Sequence, residues 1–260
     1  MDLFKLTEMD LYRALLLVFR TGAFLMSVPV FAHVAIPRVV RLWLVLLLTF
    51  LIFPGAVVSG INPPRTTLEL SMVILSEAAV GILMGFAVVI LFSAVQFAGH
   101  FIGLQMGLAV ATLSDPMGAG EISVIAEFYY LLSLLIFLLI DGHHYVLEAL
   151  VRSFDLVPLG GAVFGPHLGQ FIFNLTGMVF ILGVKLSAPV IITLVIVNVV
   201  FGIVSRTVPQ MNVFIVGFPL SIGVGLAMIG LSLPVFKMVF EKAVYALQGD
   251  LITIMRMLQG

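Results

Sequence analysis

"LELSMVILSEAAVGILMGFAVVILFSAVQFAGHFIGLQMGLAVATL", Leu68 to Leu113, runs for 46 residues without a lysine, an arginine or a proline. As one helix it would measure roughly 70 Å at 1.5 Å per residue, about twice the ~30 Å hydrocarbon core of a bilayer. Either it is a tight hairpin of two spans, or it is a single helix that leaves the membrane and is covered there by protein. Both readings place the chain in a membrane. Composition agrees, since 62% of the 260 residues are hydrophobic and only 10% are charged, outside the range of a soluble domain of this size.

Outward from this stretch, six apolar runs are long enough to cross: Leu11–Ala32, Val39–Ser59, Leu68–Val89, Ile122–Ile140, Phe171–Val200 and Val213–Leu233. Backbone groups in lipid must be satisfied internally, and the short alternating segments of a barrel are missing. The expected fold is therefore all-α, a membrane-embedded bundle of about six long, partly kinked helices, forming one integral-membrane subunit over residues 1–260. Prolines 29, 54, 189, 219 and 234 fall in or beside these runs and are the expected points of kinking. The opening "MDLFKLTEMD" lacks the positive start of a cleavable leader, so the first span is expected to be retained. The lysine and arginine distribution, with Lys5, Arg13, Arg65, Arg152, Lys237, Lys242 and Arg256 against Arg38, Arg41 and Arg206, places both ends in the cytoplasm by the positive-inside rule.

A net charge of −1 gives no basic surface for nucleic acid, and the absence of cysteine removes disulfides, thiolate metal sites and cysteine nucleophiles. Charges do stand inside the apolar runs: Arg13 and Arg20, Glu69 and Glu77, Glu127, and Lys185. Arg13 and Arg20 are seven apart and project from one helix face. Each such charge costs at least ~2.5 kcal/mol at a bilayer centre, so contacts across helices or subunits are expected, with Gln105 as a further polar contact. Gly99, Gly103 and Gly107 recur every fourth residue, as do Gly81 and Gly85 upstream; this spacing leaves a smooth groove for close helix packing.

Catalytic signals are weak. "DGHHYVLE" gathers Asp141, His143, His144 and Glu148, and on a helix His144 and Glu148 share a face as metal ligands do. No second cluster completes a coordination sphere, so a turn at a helix end is the expected role of Asp141-Gly142 and no metal or other cofactor is expected. Hydrolase elbows, zinc-protease motifs and phosphate loops are missing from the sequence. A solute transporter with a broken helix around Lys185 and Pro189 stays as an alternative.

Three stretches together resemble one family. They are "FIGLQMGLAVATLSDPMGAGEISVIAEFYYLLSLLIFLLIDGHHYVLEAL", "SFDLVPLG" from Ser153 to Gly160, and "RTVPQMNVFIVGFPL", with Arg206, Pro209, Gln210, Asn212, Phe214, Gly217, Phe218 and Pro219. This pattern is similar to the FliR family, the R subunit of the flagellar type III protein-export apparatus, with the virulence-type secretion subunit as the nearest alternative. The resemblance implies a non-enzymatic channel component of the bacterial inner membrane and flagellar basal body. It would assemble with the P and Q subunits, be contacted by the B and A subunits, and pass unfolded flagellar proteins. The resemblance also implies that the loop "GLAVATLSDPMGAGE" plugs the pore, through Gly107, Val110, Leu113, Asp115, Pro116, Met117, Gly118 and Glu121. Where the family often carries bulky aromatics, this loop has Val110 and Leu113. For "PQMN" a turn is expected, with Gln210 and Asn212 tying backbone groups.

Overall fold

The computed structural model describes residues 7–55, 66–108, 123–207 and 213–259. Among them the chain forms eight helices: α1 (Glu8–Ser27), α2 (Pro29–Ala32), α3 (Arg38–Ile52), α4 (Thr67–Gln105), α5 (Val124–Leu139), α6 (Gly142–Leu156), α7 (Pro166–Thr207) and α8 (Val213–Gln259). The described residues contain no strand.

The stretch from Leu68 resolves the opening alternative, because α4 is one uninterrupted helix of 39 residues, roughly 60 Å long. The six expected spans are corrected at two places. Pro29, which cannot donate to the preceding turn, splits the first run into α1 and the single turn α2. In the second run only the 15 residues of α3 are helical before a turn at Phe53–Gly55, and the remainder lies outside the described residues. Among the described residues three helices, α4, α7 and α8, are long and apolar enough to cross a membrane, or four if α5 and α6 count as one span. Pro189 lies inside α7, and Pro219 and Pro234 lie inside α8.

Helix starts follow local chemistry. At α1 the Thr7 hydroxyl accepts from the Asp10 backbone N–H at 3.2 Å, while the Thr7 hydroxyl and N–H both donate to the Asp10 carboxylate. This reciprocal capping box holds the Asp10 carboxyl below its ordinary pKa, the hydroxyl bond acting most strongly.

The chain divides into two compact units. One takes Met1–Ile90, Asp141–Leu175 and Tyr245–Gly260; the other takes Leu91–Ile140 and Thr176–Val244. In the first, Leu16, Leu17, Phe24, Met84, Val146, Leu150, Leu251 and Met255 are buried, and the Val163 N–H donates to the Leu258 carbonyl at 2.9 Å, tying the segment after α6 to the end of α8. The second has an aromatic core. Phe92 meets Tyr130, Phe137 and Phe240 edge-on at centroid distances of 5.5 to 6.1 Å, and Tyr129 meets Phe236 at 4.9 Å, geometries that favour ring edges against ring faces.

Candidate functional site

Two junctions organise the polar and glycine residues singled out in the sequence. The first is a buried charge node in the first unit. Arg20 on α1 donates through Nε to Glu77 Oε2 on α4 at 2.6 Å, and both side chains are fully buried. A helix leaves its last carbonyls without intrahelical donors; here the Arg20 guanidinium donates to the carbonyls of Ser153 and Val157 at the end of α6, at 2.9 and 2.8 Å. The other Glu77 oxygen accepts from the Gly160 N–H at 2.6 Å. Gly160 has φ +72, a left-handed conformation suited to glycine. The guanidinium also lies 4.8 Å from the Phe154 ring centre, within cation–π range. Arg13, on the same face of α1, does the equivalent job for α3 by donating to the Phe53 carbonyl at 2.7 Å.

The second junction lies at the end of α4 in the other unit. The Leu108 N–H donates to the Gly103 carbonyl at 3.1 Å and the Gly107 N–H to the Leu104 carbonyl at 3.0 Å. These are the two bonds of a Schellman motif, which ends a helix on a left-handed residue. Gly107 supplies that residue at φ +80, and a Cβ there would fall 2.5 Å from the Phe218 ring of α8. Chain direction at the start of the loop is thus set by one glycine against one aromatic ring.

Between the junctions the α4 glycines sit at close approaches. A Cβ on Gly81 would overlap the Arg20 carbonyl and lie 2.9 Å from the Phe24 nitrogen, and one on Gly85 would overlap Ser27. In the other unit a Cβ on Gly99 would lie 2.9 Å from the Ala126 nitrogen, and one on Gly103 would lie 2.9 Å from the Ser123 hydroxyl. At Gly81, Gly85 and Gly99 backbone therefore approaches backbone, and at Gly103 a serine hydroxyl, where a larger side chain would force helices apart.

The family profile described as "Bacterial export proteins, family 1" matches residues 11–247. The chain belongs to this family. Among its curated relatives, "Flagellar biosynthetic protein FliR" of Bacillus subtilis is 35% identical over 242 residues, covering 90% of this chain and 91% of the relative. The proteins of the same name from Pectobacterium carotovorum and Escherichia coli are 33% and 30% identical, each over 90% of both chains. Membership in the FliR family makes this a flagellar biosynthetic protein of the bacterial export class, and its apolar helices make it a membrane protein.

The FliR-like stretches coincide with the two junctions. "SFDLVPLG" provides the Ser153 and Val157 carbonyls and the Gly160 N–H to the buried charge node. Gly107 of the first stretch touches Phe218 of the third. Sequence pattern alone does not connect Arg20 or Glu77 to Ser153–Gly160; the only available signal is the family-like spacing of that segment.

The other expected residues are more scattered. Glu69 stands in the first turn of α4, where its N–H donates to the Thr66 hydroxyl, and Glu127 stands half-buried in the first turn of α5; an acidic group at a helix N-terminus meets a favourable dipole. Gln105 is half-buried in the last turn of α4, Lys185 is exposed in α7, and Arg206 is exposed in the last turn of α7. Phe214 belongs to the first turn of α8. Val110, Leu113, Asp115, Pro116, Met117, Gly118, Glu121, Pro209, Gln210 and Asn212 lie outside the described residues.

Asp141 has φ 57 and accepts from the His144 N–H at 2.9 Å, forming the turn before α6. Donor atoms of Asp141, His143 and His144 lie within 4.8 Å of one another, whereas Glu148 pairs with Arg152 at 2.6 Å on the exposed surface. Gln96, which the sequence offers with Gln105 as a hydrogen-bonding residue beside the glycine ladder, is exposed on α4 together with His100, with Ser93 half-buried beside them. They stand at helical spacing, on a face that is also open at Leu75, Ile82 and Leu104.

Proposed function

We propose that this FliR-family chain is a channel-forming, non-enzymatic subunit of the flagellar protein-export gate in the bacterial inner membrane, at the flagellar basal body. In this reading it assembles with the P and Q subunits, meets the B and A subunits, and passes unfolded flagellar proteins. The segment from Gly107 to Glu121 closes the resting pore. Support comes first from the Schellman cap at Gly107, which fixes the departure of that segment against Phe218. The exposed polar pair Gln96 and His100 on the same helix, one turn before the exposed Leu104, suits a wall that meets water at that level. Val110 and Leu113 suit a dry constriction that excludes ions.

A transporter built on a broken helix at Lys185–Pro189 fits less well, because α7 is helical without interruption from Pro166 to Thr207 and such sites use discontinuous helices. Deleting Val110 to Gly120 is expected to raise ion leakage through assembled complexes without preventing assembly. Unchanged leakage in complexes of normal composition would remove the plug from this account.

A further inference from the structure

The exposed face of α7 around Gly177, Ile181, Lys185 and Ile192 is, we propose, a docking surface for a membrane helix of another gate subunit that carries an aspartate or glutamate level with Lys185. This rests on the reading that the chain works within an assembly.

The first observation concerns length. Large apolar side chains stand exposed along α7 from Phe173, Ile181 and Val184 to Ile192, Val199 and Ile203. Phe173 and Ile203 are thirty residues apart, roughly 45 Å along a helix, and a hydrocarbon slab of ~30 Å cannot cover both. If the slab is centred on Lys185, an ammonium faces lipid at a cost of at least ~2.5 kcal/mol. If it is shifted to release Lys185, several turns of exposed apolar side chains stand in water. Protein cover over this face removes both penalties.

The second observation concerns charge. Lys185 is exposed and has no acidic partner among the described residues. Gly183, two positions earlier, faces the other way, where a Cβ would meet the Ala94 carbonyl and the Phe97 ring of α4. Two residues turn a helix by about 200°, so Lys185 points away from the packing that the chain itself supplies. Gly177, about two turns before the lysine, has no atom within 4 Å of a Cβ position, which leaves room there for a second backbone to approach. An acidic helix satisfies the cation and covers the apolar turns together.

The native chain contains no cysteine, which makes single-site probes simple. In the full complex, Lys185→Arg is expected to keep assembly near the wild-type level. Lys185→Met, which strands the partner carboxylate, should lower recovery of intact complex about tenfold or more, and Lys185→Glu should lower it further. A photo-crosslinker at Ile181 should attach to one helix of another subunit, and replacing the acidic residue of that helix by lysine should restore assembly to Lys185→Glu. The proposal is overturned if Lys185→Met assembles normally, if the Ile181 probe attaches only to lipid, or if Lys185→Cys in the complex reacts freely with a membrane-impermeant maleimide. Normal leakage after the Val110–Gly120 deletion, combined with disrupted assembly in Lys185→Glu, would retire the plug and leave this surface standing.

Discussion

Helices α4 and α7 are nearly matched in length, at 39 and 42 residues, and both are strongly apolar, yet 61% of the most apolar window of α4 is buried against 17% for α7. Hydrophobicity therefore does not decide which helix becomes core. Small residues and charge pairing do. Gly81, Gly85, Gly99 and Gly103 on α4 all meet neighbours at close range, whereas on α7 Gly183 alone of its glycines does, and Gly169, Gly177 and Gly202 have none within 4 Å. Glu77 on α4 is matched by Arg20 within the chain, while Lys185 on α7 is left exposed. One helix finds most of its partners in the same polypeptide; the other leaves most of its surface open among the described residues.

The largest effect expected from breaking this contrast is at Glu77. Glu77→Gln leaves the buried Arg20 without its carboxylate and should destabilise the isolated chain by about 3–5 kcal/mol, read as a fall in thermal unfolding temperature in detergent. Lys185→Met in the same preparation should change stability by no more than ~0.5 kcal/mol, as expected of an exposed site. Similar losses at both positions would erase the distinction. Next come the glycines: Gly81→Leu or Gly99→Leu should cost about 1–3 kcal/mol through overpacking, and Gly177→Leu should be neutral until the complex is assembled.

Gly107→Ala should cost about 1–2 kcal/mol from the left-handed backbone alone, with a further loss from overlap on Phe218. Phe218→Ala should relieve the second part, giving a coupling of at least ~0.5 kcal/mol in a double-mutant cycle. Smallest is the exposed Glu148–Arg152 pair, where Glu148→Ala should shift stability by about 0.3–0.5 kcal/mol.

The contrast also marks what could be seen in the sequence. The all-helical class was legible because Leu68–Leu113 is almost wholly apolar and holds no lysine, no arginine and no proline that would break a helix. Whether it folded as one helix or two was not, since the stop is a Schellman cap at Gly107, and that glycine also reads as the third rung of a packing ladder. Arg20 was legible as a charge needing a partner, but its contacts lie 57, 133 and 137 residues away, and one-dimensional spacing carries no information at that range. Burial differed for the same reason: apolar content sets the tendency to leave water, and only tertiary pairing decides which helix is covered. That Gln96 and His100 share an exposed face could be seen only once the helix was placed against its neighbours.

The claim that α4 borders a water-filled passage while the outer face of α7 is covered can be tested by single-cysteine labelling in assembled complexes carrying the Val110–Gly120 deletion. Gln96→Cys and His100→Cys should react with a small membrane-impermeant maleimide, and Ile181→Cys should not. Unreactive thiols at 96 and 100 beside a reactive one at 181 would contradict the account.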